Sequence, residues 1–214
     1  VKMNVVPFNA ALHACARVGD SHGAIAGLDR MRREGWAPNV VSYTSAIAAC
    51  ERARPKADWR SAVALLREAK ETNLSPNLLT YCSVASACVR AGQWETALAL
   101  MEEAVAAGLT KDEVAHQITM RAWLSSNSEG RYDKVLSILT DMQKDPHLTP
   151  NIQCYSSGLQ ACARLGRFDW ARSLLNTMHA QGPTPDLFCY NQALAACAPR
   201  QPKPHLQSAG AAAA

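Results

Sequence analysis

A spacing of 35 residues recurs along the chain and constrains its fold more than any other feature. It separates three pairs of cysteines, namely Cys15 and Cys50, Cys154 and Cys189, and Cys162 and Cys197. A common spacing among residues of one type indicates an internal repeat. No two cysteines form a CxxC element, so the cysteines do not indicate a zinc or redox framework.

The repeat units can be delimited by a recurring Asn or Asp, which follows a proline at most of the boundaries. These residues are Asn39, Asn77, Asp112, Asn151 and Asp186. They divide the chain into units 5–39, 40–77, 78–112, 113–151 and 152–186, followed by a partial unit, 187–198. We number these units one to six. The longer second and fourth units carry insertions that fall in predicted turns, where a stacked array tolerates them.

Each unit is predicted to form two helices. In the first helix a ring usually stands at position 4 and apolar residues at positions 8 and 11, which share one helical face. The second helix again has apolar residues three and four apart, as in WETALALMEEAVAAG. One such hairpin cannot bury its own apolar stripe, so neighbouring units must stack. The predicted fold is all-α, a right-handed α-solenoid of about five and a half helix-turn-helix repeats, with the first helices lining a concave surface. Residues 199–214 are expected to form a flexible tail rich in proline and alanine.

Composition excludes several classes of protein. The chain is 48% hydrophobic with only three phenylalanines, which favours a folded helical domain over disorder. The net charge of +4 permits nucleic acid as a partner without requiring it. No apolar run approaches the roughly 20 residues that span a bilayer, so no membrane association is expected. No catalytic motif, metal-ligand spacing or cofactor-binding loop is present, and the chain is predicted to be neither an enzyme nor a cofactor-binding protein.

Three stretches carry a resemblance to a known family. They are NVVSYTSAIAAC, PNLLTYCSVASACVRAGQWETALALME and LQACARLGRFDWARSLLNTM. With the ring at position 4, Gly near 15, Ala near 20, Met near 27 and Pro-Asn/Asp at 34–35, the chain resembles the pentatricopeptide repeat family in its P-type form. The resemblance covers residues 5–198. It implies binding of single-stranded RNA in a chloroplast or mitochondrion, with the plastid favoured, at about one base per repeat. A transit peptide is expected outside this chain.

The resemblance also implies which residues contact RNA. Position 2 would sandwich the bases through Val6, Val41, Leu79, Val114, Gln153 and Phe188. Positions 5 and 35 would read the base edge through the pairs Asn9 and Asn39, Thr44 and Asn77, Cys82 and Asp112, Gln117 and Asn151, and Ser156 and Asp186, with Asn191 beginning a sixth pair. Position 13 carries four arginines that suit phosphates, Arg17, Arg52, Arg90 and Arg164. Positions 2, 5, 9 and 13 lie three and four apart, so they share a face distinct from the core stripe.

Each of these positions has a structural alternative. Asn or Asp at position 35 precedes a helix and would serve as its N-cap. The residue at position 2 could pack between repeats. The position-13 arginines could instead lie at a solvated helix end, where their charge interacts favourably with the helix dipole. The cysteines at position 11 are expected to be small core residues.

The family's recognition pattern implies a short target for the array. Asn with Asn favours a pyrimidine, Thr with Asn adenine, and Ser with Asp guanine. The implied target is 5′-pyrimidine-A-x-x-G-pyrimidine, in which the third and fourth units depart from the common pairs. The expected role is organellar RNA processing, stability, splicing or translation. The alternative is a protein-interaction scaffold or a structural subunit of a larger organellar assembly such as a ribosome, and proteins of an organellar ribonucleoprotein are partners in either case.

Overall fold

Eleven α-helices account for most of the residues that the structure describes. The computed structural model of the protein describes residues 5–197, and no strand occurs within them. The helices are α1 Val5–Val18, α2 Ser21–Arg33, α3 Val40–Arg52, α4 Trp59–Glu71, α5 Leu78–Arg90, α6 Trp94–Ala106, α7 Glu113–Ser125, α8 Arg131–Lys144, α9 Ile152–Leu165, α10 Phe168–Gln181 and α11 Leu187–Cys197. The odd-numbered helices begin at residues 5, 40, 78, 113, 152 and 187, the first residues of the predicted units. The predicted tail, residues 199–214, lies outside the described residues.

The helices form two rows with different spacing. Each odd-numbered helix contacts the next odd-numbered helix, and each even-numbered helix packs against the two odd-numbered helices that flank it in sequence. Across residues 5–197, no two even-numbered helices come within 8 Å of each other between Cα atoms. We call the odd-numbered helices the inner row and the even-numbered helices the outer row. Because the inner row is the more closely spaced, it lies on the concave side of the array.

The core confirms the predicted stripe at positions 4, 8 and 11. In the second unit Tyr43, Ile47 and Cys50 are buried, and the position-8 residues Leu12, Ala85, Met120 and Leu159 are likewise inaccessible to solvent. The outer helix of the same unit covers this stripe. In the fourth unit, His116 and Trp123 occupy the stripe and are only partly buried. These helices therefore form an all-α repeat solenoid, as predicted, while the handedness of its superhelix stays a prediction.

The same stripe is open in the partial sixth unit. Tyr190 and Leu194 are 40% and 68% exposed, and Cys197 is also exposed. The described residues contain no outer helix after α11 that could cover these side chains. The contrast with Tyr43 and Ile47 shows that burial of the stripe depends on the second helix of the hairpin.

Polar contacts join the outer helices of the first three units. The Tyr43 hydroxyl donates to Glu68 Oε1 at 3.1 Å, and Arg32 of the preceding unit forms an ion pair with the same carboxylate. The arrangement recurs one unit later. There the Tyr81 hydroxyl donates to Glu103 Oε1 at 3.1 Å, and Lys70 pairs with that carboxylate. The position-4 tyrosine thus takes part in fixing the stacking of one unit on the next.

All eight cysteines are free thiols with very different access to solvent. Cys197 is exposed and Cys15 is partly exposed, whereas the other six are buried. Burial raises the pKa of Cys50 to about 12 and the pKa values of Cys88 and Cys162 to about 11. These thiols are therefore protonated and inert at neutral pH. The predicted role of the position-11 cysteines as core residues is confirmed for these three, whereas Cys15 is only partly buried and the prediction is wrong for the exposed Cys197.

We expect a thiol reagent at pH 8 to modify Cys197 quickly and Cys15 slowly in the native protein. The pKa of Cys15 is also raised, first by burial and then by the charge of Asp20. The six buried thiols should react only after denaturation, since both access and thiolate formation are suppressed. Mass spectrometry of the alkylated protein, with and without urea, measures this. Rapid modification of Cys50 or Cys88 in the native state would contradict the described packing.

Candidate nucleic-acid interface

The six position-2 residues form an exposed row along the concave side. Val6 is 65% exposed, Val41 57%, Leu79 62%, Val114 49% and Phe188 45%, and Gln153 is also exposed. Aliphatic side chains are usually buried, so a regular row of accessible ones suggests a binding surface. Their exposure argues against the alternative that these residues pack between repeats. We call this set the apolar row.

The position-35 residues cap the inner helices. Oδ1 of Asn39 and of Asn77 accepts the backbone N–H of Ser42 and of Thr80, both at 3.0 Å. Asp112, Asn151 and Asp186 make the same contact with the third residue of the next inner helix. Capping is therefore present at all five positions. It occupies one acceptor oxygen and leaves the amide NH₂ of Asn39 and Asn77, or the second oxygen of each aspartate, for another partner. The Asn151 NH₂ donates to Gln117 Oε1 at 3.5 Å.

The position-5 residues differ in their access to solvent. Asn9, Thr44 and Gln117 are partly exposed and Asn191 is exposed. Cys82 and Ser156, in contrast, are only 4% and 8% exposed. Their side chains are shorter than those of asparagine and glutamine. The third and fifth units consequently offer little position-5 surface, and there the position-35 carboxylates Asp112 and Asp186 are the accessible members of the pairs.

Charge and burial determine the state of the titratable groups in these two pairs. Burial raises the pKa of Cys82 to about 12, and the carboxylates of Asp112 and Glu51 act in the same direction. Cys82 is therefore a neutral thiol and a weak donor at physiological pH. The hydrogen bond from the Cys189 N–H lowers the pKa of Asp186, which is consequently a carboxylate at neutral pH.

A pocket between the first three inner helices brings several predicted residues together. Its volume is about 430 Å³, within the range of small-molecule sites. Val41 and Leu79 of the apolar row line it, together with Thr44 and Asn77, which are positions 5 and 35 of the second unit, and with Arg52. The cavity is therefore lined by two apolar side chains, by the position-5 and position-35 residues of one unit, and by an arginine beside a glutamate, Glu51.

The position-13 arginines Arg52 and Arg90 contact the preceding unit. Arg52 Nη1 donates to the Ala16 carbonyl at 3.3 Å, and Arg90 donates to the Glu51 carbonyl. Both acceptors lie in the last turn of the preceding inner helix, so the helix-end alternative describes part of what these arginines do. A guanidinium has five N–H donors, and both residues stay exposed, so further donors are available for a phosphate. Phosphate contact by Arg17, Arg52, Arg90 and Arg164 stays a prediction.

The inner row carries more positive charge than the outer row. Its helices contain five arginines and two glutamates, and they contain neither lysine nor aspartate. The outer row carries nearly balanced charges. The inner helices therefore carry a net charge of +3 and the outer helices a net charge of +1.

Two hydroxyls beside the reading pairs were not predicted as functional. Ser42 and Thr80, each the third residue of an inner helix, hydrogen bond to the position-5 and position-35 side chains of the preceding unit. A Ser or Thr three residues after an Asn is a capping-box-like signal, which could have drawn attention to them. Their contact with position 5 joins residues more than 30 apart and is visible only in the folded array.

Other site types are not supported within residues 5–197. No cluster of His, Cys, Asp or Glu there could hold a metal ion, and no helix there is long and apolar enough to cross a membrane. A larger pocket of about 620 Å³ lies among the turns of the fourth and fifth units. Asn151 is the only predicted reading residue in its lining, so that pocket does not compete with the concave surface as an RNA site.

Comparison with protein families identifies the repeat. A family model described as the pentatricopeptide repeat domain matches residues 1–52 and 137–200, which is more than half of the chain. The chain belongs to the pentatricopeptide repeat family. A second model, the PPR repeat, matches residues 79–109. The stretches of the array that neither model matches, 53–78 and 110–136, contain the ARPK insertion and the SSNSEG turn.

Individual relatives agree with this family assignment. The chain is 32% identical over 92 residues to pentatricopeptide repeat-containing protein 10, chloroplastic, of Zea mays, a match that covers 43% of this chain and 11% of the relative. The matched region thus spans about a tenth of that protein's length.

Two solved structures show the same pentatricopeptide repeat fold. The PPR domain of Arabidopsis thaliana protein-only RNase P 1, crystallised in complex with tRNA, superposes with a TM-score of 0.72 at 16% identity, covering 86% of this chain and 94% of that one. The protein PPR10 in complex with an 18-nucleotide psaJ RNA element superposes with a TM-score of 0.51 at 22% identity, covering 91% of this chain and 36% of that one. At these identities the similarity supports the fold alone.

Proposed function

We propose that the chain binds single-stranded RNA along the inner row, at about one base per unit. The observation that carries this proposal is the pocket in which Val41 and Leu79 flank Thr44 and Asn77 beside Arg52. A base inserted there would have an apolar side chain on each face, two polar groups at its edge and a cation near its phosphate. A repeat of such pockets suits an unstacked strand better than a duplex, whose base edges are already paired.

The capping bonds suggest how each pair reads a base. Asn39 and Asn77 have an acceptor oxygen occupied by a backbone N–H, so their NH₂ groups remain to donate. Donors suit the acceptors of a pyrimidine opposite Asn9 and Asn39, and the ring nitrogen of an adenine opposite Thr44 and Asn77. Asp186 keeps a charged oxygen that accepts from the N–H groups of guanine. Because Ser156 is buried, guanine selection in the fifth unit would depend on Asp186.

This chemistry supports the target 5′-pyrimidine-A-x-x-G-pyrimidine, in which Asn191 contributes to the last position. No preferred base is assigned to the third and fourth units, whose pairs are Cys82 with Asp112 and Gln117 with Asn151. A site of about six bases is short, so partner proteins would be needed for a unique transcript. The proposed role is organellar RNA processing, stability, splicing or translation, with the plastid favoured as the location, and the chloroplastic maize relative supports an organellar location. The proposal is one of binding and assigns no catalytic step to the chain.

Selection from a randomised single-stranded RNA pool tests the proposal. We expect enrichment of the target, and about tenfold weaker binding when guanine replaces adenine opposite the second unit. Four phosphate contacts give an expected slope of about −3 in log affinity against log salt, or about 50-fold weaker binding at 200 mM than at 50 mM salt. Absence of RNA affinity at physiological salt would refute the proposal and favour the protein-scaffold alternative.

A further inference from the structure

The reading pairs of the first two units are joined by a hydroxyl from the following unit. Ser42 is fully buried and lies between Asn9 and Asn39. Thr80, only 1% exposed, occupies the same place between Thr44 and Asn77. In each case the third residue of the next inner helix connects position 5 to position 35. We call Ser42 and Thr80 the linking hydroxyls.

The hydrogen bonds at Ser42 determine how Asn9 is oriented. Ser42 Oγ accepts the Asn39 N–H at 3.2 Å and donates to Asn9 Oδ1 at 2.6 Å. This distance is typical of an O–H···O bond and short for an N–H donor. The Asn9 carbonyl oxygen is therefore occupied, and its NH₂ group is left for another partner. Since Asn39 Oδ1 is also occupied by the Ser42 N–H, both members of the pair present donors.

Thr80 performs the same task with a different partner at position 5. Its hydroxyl donates to Asn77 Oδ1 at 2.8 Å and accepts from the Thr44 hydroxyl at 2.9 Å. The single Thr44 proton has the Val40 carbonyl, at 2.7 Å, as its alternative acceptor. Asn77 Oδ1 thus accepts from both the N–H and the hydroxyl of Thr80. The Asn77 amide is fixed with its NH₂ group directed away from the cap.

The remaining pairs lack a linking hydroxyl. The equivalent residues are Ala115, Cys154 and Cys189. Alanine has no polar side-chain group, and a thiol is a weak donor and acceptor. The direct contact within the fourth pair is long, at 3.5 Å between Asn151 Nδ2 and Gln117 Oε1. In the fifth pair the Cys189 thiol lies 3.5 Å from Ser156 Oγ, an ordinary distance for sulfur, and also hydrogen bonds to Asp186. The third and fourth pairs are therefore less constrained than the first two, and the fifth pair is held by a thiol in place of a hydroxyl.

We propose that the linking hydroxyls of Ser42 and Thr80 are positioning groups that set the base selectivity of the preceding unit. By holding the carbonyl oxygens of the reading amides, they fix a donor edge toward the RNA. Selectivity is then strongest in the first two units and rests on Asp186 in the fifth unit, whereas the third and fourth units contribute mainly affinity. This inference rests on the proposed function, since it concerns how the same surface discriminates bases.

A reciprocal exchange of serine and cysteine tests the inference. Ser42→Cys should reduce discrimination between pyrimidine and purine opposite the first unit from about tenfold to less than about threefold. Its affinity for the preferred RNA should change by less than about threefold, because sandwiching and phosphate contacts persist. Cys154→Ser should increase discrimination opposite the fourth unit. Ser42→Thr should retain the native selectivity, since Thr80 performs the same role one unit later.

Ser61→Cys is the matched control for this exchange. Ser61 is the third residue of outer helix α4, and its N–H is capped by Asp58 at 3.2 Å as the Ser42 N–H is by Asn39. It lies on the outer row, away from the position-5 and position-35 residues, so selectivity at every base should be unchanged. Unaltered discrimination by Ser42→Cys at native affinity would overturn the inference and leave the proposed function standing. Absence of RNA binding by the unsubstituted protein would overturn both.

Discussion

Replacing Val41 and Leu79 together by glutamate is expected to weaken binding to the target RNA by at least about 100-fold. The two side chains flank the pocket of the second unit, and burial of each aliphatic side chain against a base face is worth about 1 kcal/mol or more. Loss of two such contacts, with added repulsion between the carboxylates and the strand, gives about 3 kcal/mol or more. Fluorescence anisotropy with the selected RNA measures the change.

Stability should be nearly unaffected by this double substitution. Val41 and Leu79 are 57% and 62% exposed, so their replacement removes little buried apolar area. Val105→Glu is the control, because Val105 is 50% exposed but lies on outer helix α6. Only the inner-row variant should lose RNA affinity while both keep the native unfolding temperature. If the two variants bound RNA equally well, the apolar row would not be the base-contacting surface.

Position 35 combines two roles that the sequence presents as alternatives. Asn39 and Asn77 cap helices with one side-chain oxygen, and this contact is what directs the other polar group of each residue outward. Capping and base contact are therefore compatible within a single side chain. The cap fixes the residue's conformation before a ligand binds, which reduces the entropy cost of binding.

The regular part of the structure follows from the sequence pattern. Helix starts such as Val40 and Leu78 are set by the preceding asparagine, and burial of Ile47 and Cys50 follows from their spacing on one helical face. Exposure of Val41 follows by the same geometry, since it lies on a different face. These features are local to one unit, and repetition makes each of them visible several times along the chain.

The features that sequence analysis missed depend on how units stack. The burial of Cys82 and Ser156 reflects their short side chains at the contact with the following unit. The bond from Arg52 to the Ala16 carbonyl crosses 36 residues of sequence. The position of Ser42 between Asn9 and Asn39 likewise requires two stacked units. No periodic pattern within a unit specifies such contacts.

Replacing Gly19 by alanine is expected to destabilise the array far more than the same change at Gly92. Both glycines join an inner helix to an outer helix with φ of +80°, where an alanine costs about 1–2 kcal/mol. They differ in their surroundings. A Cβ at Gly19 would lie 2.5 Å from the Arg52 carbonyl oxygen, whereas a Cβ at Gly92 would meet nothing within 4 Å. The obstacle is backbone, so the end of α3 must move.

We expect Gly92→Ala to lower the free energy of unfolding by about 1–2 kcal/mol, and Gly19→Ala to lower it by at least about 2 kcal/mol more. Urea titration followed by circular dichroism measures both. Because the displaced segment carries Arg52, which lines the pocket, Gly19→Ala should also weaken RNA binding under conditions where it is still folded, whereas Gly92→Ala should not. Equal destabilisation of the two variants would show that the first two units are not in close contact at this turn. The proposed RNA-binding surface depends on that contact. Arg52 can hydrogen bond to Ala16, and Ser42 to Asn9, only when α1 and α3 are closely packed.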